Sequence, residues 1–480
     1  MKQRPSLRSI VLALVLALPM TTVPTTAASA DTVVVTKSHN SGAGSFRDAI
    51  DQANGNPAIT RVQFRAGLPT VFLGSTVVFS GLQDLTIDGN GATLDGAGTG
   101  GVAFSVIGGG DLAVSNLTVR NAAAEGIAVE LPESATGTVS VLLFNVSVIN
   151  NAGHGILIND QNNPTTPPEG TQPGANGSAA SVEVSVVSSR FVENGYSASD
   201  RDGLRVNEGG DGDLTITVKF SIFHENGADG IECDERGVGD VRVDMFATQL
   251  TGNGPKDPTD LDDGFDIDEY NEGSILGKIV FSLANQNHEE GFDFNENNAG
   301  DLRVDMQSVE ANENGEEGID YEEDDDDLLS GSGGDLVTVM NGVVTSGNGD
   351  GADGGLKIRE KASGHLNVTL TNILSTDNFG SGVFVRESSG GNSAVQIDRA
   401  VARRNKQSLL EPAEILGHGF EILESGGGLL TATIANSVAS RNDGNGVFAN
   451  DNDLAGTVTL INVTFPGSNA LGDTGGNLLP

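Results

Sequence analysis

The sequence predicts an all-β solenoid, a single chain wound into stacked parallel coils (a parallel β-helix), and three observations predict it. A glycine followed by apolar-x-apolar recurs eleven times from Gly126 to Gly446, and the shortest interval, 27 residues, is also the commonest. A floor with variable excess is what stacked coils with loop insertions produce. An asparagine precedes these glycines, four residues ahead where no loop intervenes: Asn151, Asn194, Asn226, Asn253, Asn287, Asn314, Asn348, Asn378, Asn405 and Asn442. Twelve residues ahead of most of them lies an alternating stretch, such as LTITV from Leu214, VRVDM from Val241 and LRVDM from Leu302. Period-two alternation marks strands with one buried face, and no 3.6-residue period runs through this region. At ~3.3 Å per residue, 27 residues bent at three corners close one turn of such a helix.

Taken in order, residues 1–30 read as a secretory signal peptide. Lys2, Arg4 and Arg8 form a basic start, Ile10 to Leu18 a short apolar run, and Ala28-Ser29-Ala30 a small-x-small cleavage pattern. The run is too short to span a bilayer, and no later stretch could do so. The product is therefore expected to be secreted, periplasmic or loosely attached to the cell surface, with no transmembrane segment. Residues 31–80 form an N-terminal cap and the first strands, and residues 81–480 form the β-helix. Ser45 to Asn54 reads as an amphipathic helix that would close the open end of the core. LTIDGNGATLDG from Leu85 and VSNLTVRN from Val114 read as opening coils, and residues 161 to 181, rich in Pro, Gly and Thr, as a surface loop.

Composition excludes several classes. The 480 residues carry 26 Lys+Arg against 66 Asp+Glu, a formal net charge of −40, which repels phosphate backbones and argues against nucleic acid. One cysteine excludes a disulfide scaffold and multi-cysteine metal sites. The 37% of apolar residues still suffices for a long core.

On the 27-residue floor and the Asn series, the chain resembles the right-handed parallel β-helix superfamily, the pectate-lyase-like fold, over residues ~80 to 470. The Asn residues would form its asparagine ladder; Asn also tolerates the left-handed backbone of a sharp bend. GSFRDAI from Gly44 resembles the Cys-Ser-Leu-Arg-Glu-Ala-Ile segment of bacterial exported β-helix repeat proteins, without the Cys. The resemblance implies a fold on which many members are polysaccharide lyases, hydrolases or epimerases.

Alternation assigns side-chain directions. Positions one and three after each glycine point inward, Cys233 among them, and positions two and four point outward. Position five is acidic almost throughout, from Glu208 to Glu424, and is expected to accept amide hydrogens of the following turn. Outward position two carries Glu232, Asp266, Asp293 and Asp320 in successive coils; position four carries Asp234, Asp268, Asn295 and Glu322. Coils lie ~4.8 Å apart, where like charges repel by ~0.9 kcal/mol in water and ~3.5 kcal/mol at an effective dielectric of 20. Asp262 and Asp263 add carboxylates on one rim, and from Asp257 to Asp327 there are 25 acids and two bases, Lys278 and Arg303. Such oxygen-only density suits a hard divalent ion, above all Ca²⁺, against the alternative of a solvated acidic face. Beyond it the face changes sign at Lys357, Arg359 and Arg386, and Phe384 and Phe448 flank Glu421 at outward positions that could meet a sugar ring or a partner protein. Insertions before Gly203, Gly264, Gly355 and Gly419 share one corner and would wall a groove.

Two functions stay open. One is an exported acidic β-helix, stabilised by divalent cations, that binds a polysaccharide or a surface partner along one strand face. The other is a polysaccharide-active enzyme, a uronate lyase, hydrolase or epimerase, using Asp262, Asp263, Asp266 and Asp268 with Lys357 or Arg359. Gly-Phe-Asp at Gly264 resembles the strand of alginate epimerases, but their following Pro-His-Asp is absent. The Gly-His-Gly triplets at His154 and His418 mimic polygalacturonases but fall at the repeat's own turn. No carboxylate pair is singled out, so no catalytic residue is assigned.

Overall fold

The computed structural model describes residues 31–160, 177–196, 200–255, 262–324, 333–349, 354–408, 416–452 and 456–478. Residues 1–30, expected to be a signal peptide, the acids Asp257, Asp260 and Asp325 to Asp327, and most of the insertions expected to wall a groove lie outside the described residues. No helix among the described residues is long and apolar enough to cross a membrane.

Every strand pairing is parallel, and each strand pairs with its counterpart one coil earlier and one coil later. With parallel crossovers of the usual hand, this is a right-handed parallel β-helix. A typical coil contributes one six-residue strand, such as Val241–Phe246, one three-residue strand, such as Gln249–Thr251, and one five- or six-residue strand, such as Phe265–Glu269. The last type stacks into a 14-stranded sheet running from Val77–Phe79 to Gly472–Gly475. That sheet carries the candidate site, because its repeat glycine fixes the start of every strand in register.

The core is the expected inward set. Phe265, Phe292, Phe294, Ile319 and Tyr321 are fully buried, and Phe294 packs on Phe265 at 5.8 Å and on Tyr321 at 4.9 Å between ring centroids. Cys233 lies among them, and burial pushes its thiol well above its ordinary range, so it acts as a small core side chain. Helix Phe46–Gly55, N-capped by Ser45, buries Phe46, Ala49, Ile50 and Ala53 over the first coil, where Phe46 meets Phe64 and Phe104.

The Asn residues form a continuous amide ladder with one difference from expectation. In each rung, one Asn Oδ1 accepts both the backbone N–H and the Nδ2–H of the Asn one coil before; for Asn253 these bonds, from Asn226, are 3.2 and 3.0 Å. The ladder starts at the Ala122 amide and continues past Asn442 to Asn469. The left-handed residue is not the ladder Asn but the residue before it, for example Glu225 (φ 52°), Gln286 (φ 59°) and Glu313 (φ 58°). The ladder Asn must lie flat along the stack to exchange both bonds. The bend therefore falls on its neighbour, whose strain of about 1–2 kcal/mol is offset by those buried bonds. A second left-handed corner, at Phe220, Ala247 and Phe281, is followed by Ser221, Thr248 and Ser282, whose hydroxyls extend a similar short ladder.

Candidate cation-binding strip

The outer face of the 14-stranded sheet has three columns. Two were expected, at positions two and four after the repeat glycine. The third is the residue immediately before that glycine: Asp202, Asp229, Asp263, Glu290 and Glu317 in five successive coils. This position ends the turn, so its carboxylate lies along the stack. One oxygen of Asp202, Asp229 and Asp263 accepts the amide of the same position one coil later, at 3.2, 2.5 and 2.6 Å. That anchors the carboxyl groups beside position two.

The two columns interleave. Oxygens of Asp229, Glu232 and Asp266 lie within 4.8 Å of one another, as do those of Asp263, Asp266 and Asp293, and those of Glu290, Glu317 and Asp320. Asp263 also joins Glu289 and Glu290, and Asp200 joins Asp202 and Glu232. The groups share members, so they form one strip along the helix axis. Oδ1 of Asp266 and Oδ1 of Asp293 are buried and accept no hydrogen bond. Burial first, and then repulsion between neighbours, pushes the carboxyls of Asp229, Asp263, Asp266, Glu290 and Asp293 well above the usual carboxylate range.

Cations of the chain itself close both ends. Arg205 meets Asp200 at 3.1 Å, Asp202 at 3.7 Å, Asp234 at 2.7 Å and also Glu232. At the other end the Lys357 ammonium lies 2.7 Å from Glu317 and 2.6 Å from Asp320, while Arg359 bridges Asp320 and Glu322. Burial alone would lower the Lys357 pKa, but Asp320 and Glu317 outweigh it and hold the ammonium charged.

Of the residues expected to hold a metal, Glu232, Asp263, Asp266, Asp293 and Asp320 come together in the strip. Three others, all at position four, turn to different partners: Asp234 to Arg205 and Arg236, Glu322 to Arg359 and Lys361, and Asp268 to the Tyr270 hydroxyl at 2.6 Å. Burial and then Asp234 push Asp268 up to about 6. Asp262 is half-buried on the rim, close enough to raise Asp229. Sequence reasoning missed Asp202, Asp229, Glu290 and Glu317, although an acid directly before the repeat glycine was their visible signal.

The ligand-binding expectations fare unevenly. Phe384 is not an exposed ring: it is 6% exposed, packed in register between Lys357 and Glu421. Phe448 is half-buried and stacks on the His418 imidazole at 4.7 Å, while Arg386 is exposed and Glu421 accepts the Ser381 hydroxyl at 2.5 Å. Burial depresses His418 to about 4, so it is neutral and serves the stack by accepting the Asn445 amide. Lys278 and Arg303 lie on the other sheet beside Asp244 and Asp301, as their register required.

A hollow of about 480 Å³ adjoins the Arg205 end, lined by Glu125, Glu130, His154, Leu157, Asn159, Asp200, Arg201, Arg205, Asn207 and Arg236. A directed chain crosses it: Arg205 Nε donates to Asn207, Asn207 to Asn159, and Asn159 to Glu130, at 2.9, 3.2 and 2.8 Å.

No family model matches the chain, and no curated protein sequence matches it. Among solved structures it is similar to ORF18 of Geobacillus virus E2, at 12% identity and a TM-score of 0.38, over 72% of this chain and 60% of that protein. It is also similar to the periplasmic alginate epimerase AlgG, at 13% identity and a TM-score of 0.38, over 88% of this chain and 89% of that one.

Proposed function

We propose that this chain is an exported acidic β-helix that takes up divalent cations, Ca²⁺ by ligand chemistry, along the strip from Glu232 to Asp320. The strip and its flanking hollow would then face a polysaccharide or a surface partner. One observation carries the reading: Asp229, Asp263, Asp266, Glu290 and Asp293 converge in successive coils, and among the described residues none forms an ion pair of the kind Arg205 and Lys357 make at the ends, whose charges reach Asp229 and Asp293 only from a distance. Hard cations with six to eight oxygen ligands suit such all-carboxylate groups, and a shared carboxylate can bridge neighbouring ions. The test is a thermal melt of the full chain in EDTA and then in excess Ca²⁺. Binding to the folded state raises stability by about 2.7 kcal/mol per site at a hundredfold excess over Kd, so an unchanged midpoint removes the proposal.

A polysaccharide-active enzyme remains the second reading, now favoured by the hollow rather than by Lys357, whose held proton leaves it no capacity as a base. There burial raises the Glu130 carboxyl, whereas at the exposed Asp200 the partial desolvation is outweighed by Arg205 and His154, which lower its carboxyl. Two carboxyls driven apart in one cavity suit an acid and a base. Incubation with a polysaccharide panel, read for both new reducing ends and unsaturated products, should show turnover that Glu130→Gln abolishes; no product on any polymer counts against it.

A further inference from the structure

Position five points inward, and its carboxyl groups form one uninterrupted column. Strand register stacks Asp160 on Glu208 and continues coil by coil through Glu424 to Asp451, ten acids with no base among them. None is more than 1% exposed. Room for the column comes from glycines in the adjoining turns. A Cβ on Gly300 would lie 2.8 Å from Glu296 Oε1 and 1.4 Å from the Gly273 carbonyl oxygen.

The turn amides that could balance these charges are shared unevenly. Glu387 Oε1 accepts three, from Ser389, Gly390 and Gly391 at 2.9, 2.7 and 3.0 Å, and Glu269 Oε1 accepts two. Glu296 accepts one, from Gly300 at 2.9 Å, and its Oε2 is buried without a partner. Both oxygens of Glu360 are buried and neither accepts a well-aligned amide; the Ala362 N–H is only near enough to act as the weakest influence on the group. A buried carboxylate so poorly supplied with donors, one coil from others of its kind, is strongly disfavoured; a carboxylic acid there can instead donate to its neighbour. A metal does not fit, because among the described residues no three acids of this column bring oxygens together.

We propose that Glu296 and Glu360 are neutral carboxylic acids at neutral pH, each donating its O–H to a carboxyl oxygen in an adjoining coil, and that this shared-proton ladder makes the fold sensitive to alkali. The acceptors are the adjoining carboxyls, Glu269 for Glu296 and Glu323 for Glu360, while Glu387 acts on Glu360 only through its charge. Those same carboxyls are the charged groups that act on them. Arg359 and Lys361, on either side of Glu360, alternate outward to Asp320, Glu322 and Asp324. On the strands that follow the turns, Asp301, Asp335 and His365 accept amides of the neighbouring coil along the outer face. Burial, then the neighbouring glutamates, raises Glu296 to about 10 and Glu360 to about 11. A raised carboxyl pKa contributes stability that is full below the unfolded value, near 4.5, and is lost as pH climbs through the folded value. The stability at stake is therefore spent progressively between mildly acidic and strongly alkaline pH.

The test uses the full chain in EDTA, so that it stands apart from any cation effect on the outer strip. Infrared spectra at pH 8 should show a protonated-carboxyl stretch that E296Q and E360Q each diminish. The melting temperature should fall from pH 6 to pH 10, and more steeply in the wild type than in E296Q or E360Q, whose amides replace an acid already neutral. E387Q removes a charge that three amides hold and should lower the melting temperature at every pH. Absence of a protonated-carboxyl stretch in the wild type at pH 8, or equal damage from E360Q and E387Q, overturns the proposal.

Discussion

Glu317 with Asp320, and Glu290 with Asp293, occupy the same two columns one coil apart, yet they are balanced differently. The first pair holds the Lys357 ammonium at 2.7 and 2.6 Å. The second pair, in identical register, faces Asp320 in the next coil where a lysine could have stood. The comparison teaches that the geometry of these columns accommodates a cation between a pre-glycine acid and a position-two acid. Where the chain supplies that cation, the site is closed; where it does not, burial and neighbouring acids leave the carboxyls of Asp266 and Asp293 high in their range.

The sharpest way to break this comparison is to make the two pairs alike. K357M should strip Glu317 and Asp320 of their counter-charge, and removing one partner of a buried ion pair costs about 3–5 kcal/mol. In EDTA the variant should melt well below the wild type, and Ca²⁺ should restore most of the loss, because the ion takes the place of the ammonium. A loss that Ca²⁺ does not touch would show that the pair is shaped for lysine alone. A smaller effect is expected from D266N with D293N. Removing two crowded charges should leave stability in EDTA unchanged or raise it by about 1 kcal/mol, while reducing the Ca²⁺-dependent gain in melting temperature. D268N should alter that gain least, since Tyr270 occupies its carboxyl. An equal response of D268N and the double variant would dissolve the distinction between the columns.

Much of this architecture was legible in the residues. The interval of 27, the Asn series and the alternating strands predicted the coil, its three corners and its inward residues, because a period-two strand and a repeating bend impose themselves locally. Position five was read as an acceptor of turn amides, and Glu208, Glu269, Glu387 and Glu424 accept them. What escaped notice lay at the bends. Sequence alone places the left-handed bend on the ladder Asn rather than on its predecessor and singles out Asp263 but not Asp202, Asp229, Glu290 or Glu317, since turn residues have no alternation from which a direction can be read. Alternation puts Phe384 on the outer side and leaves open whether it is exposed or covered, because alternation gives the side of a strand but not what covers that side.

Periodicity by itself determined that this chain winds as a β-helix and that acids far apart in sequence stack into columns, since register follows from equal coil length. Only the tertiary structure decided which of those acids keep a charge partner. That choice depends on which side chains reach one another across coils, as Arg205 reaches Asp234 and Lys357 reaches Glu317. Such contacts are set by angstrom-scale geometry at the turns, and electrostatic energy changes steeply over those distances.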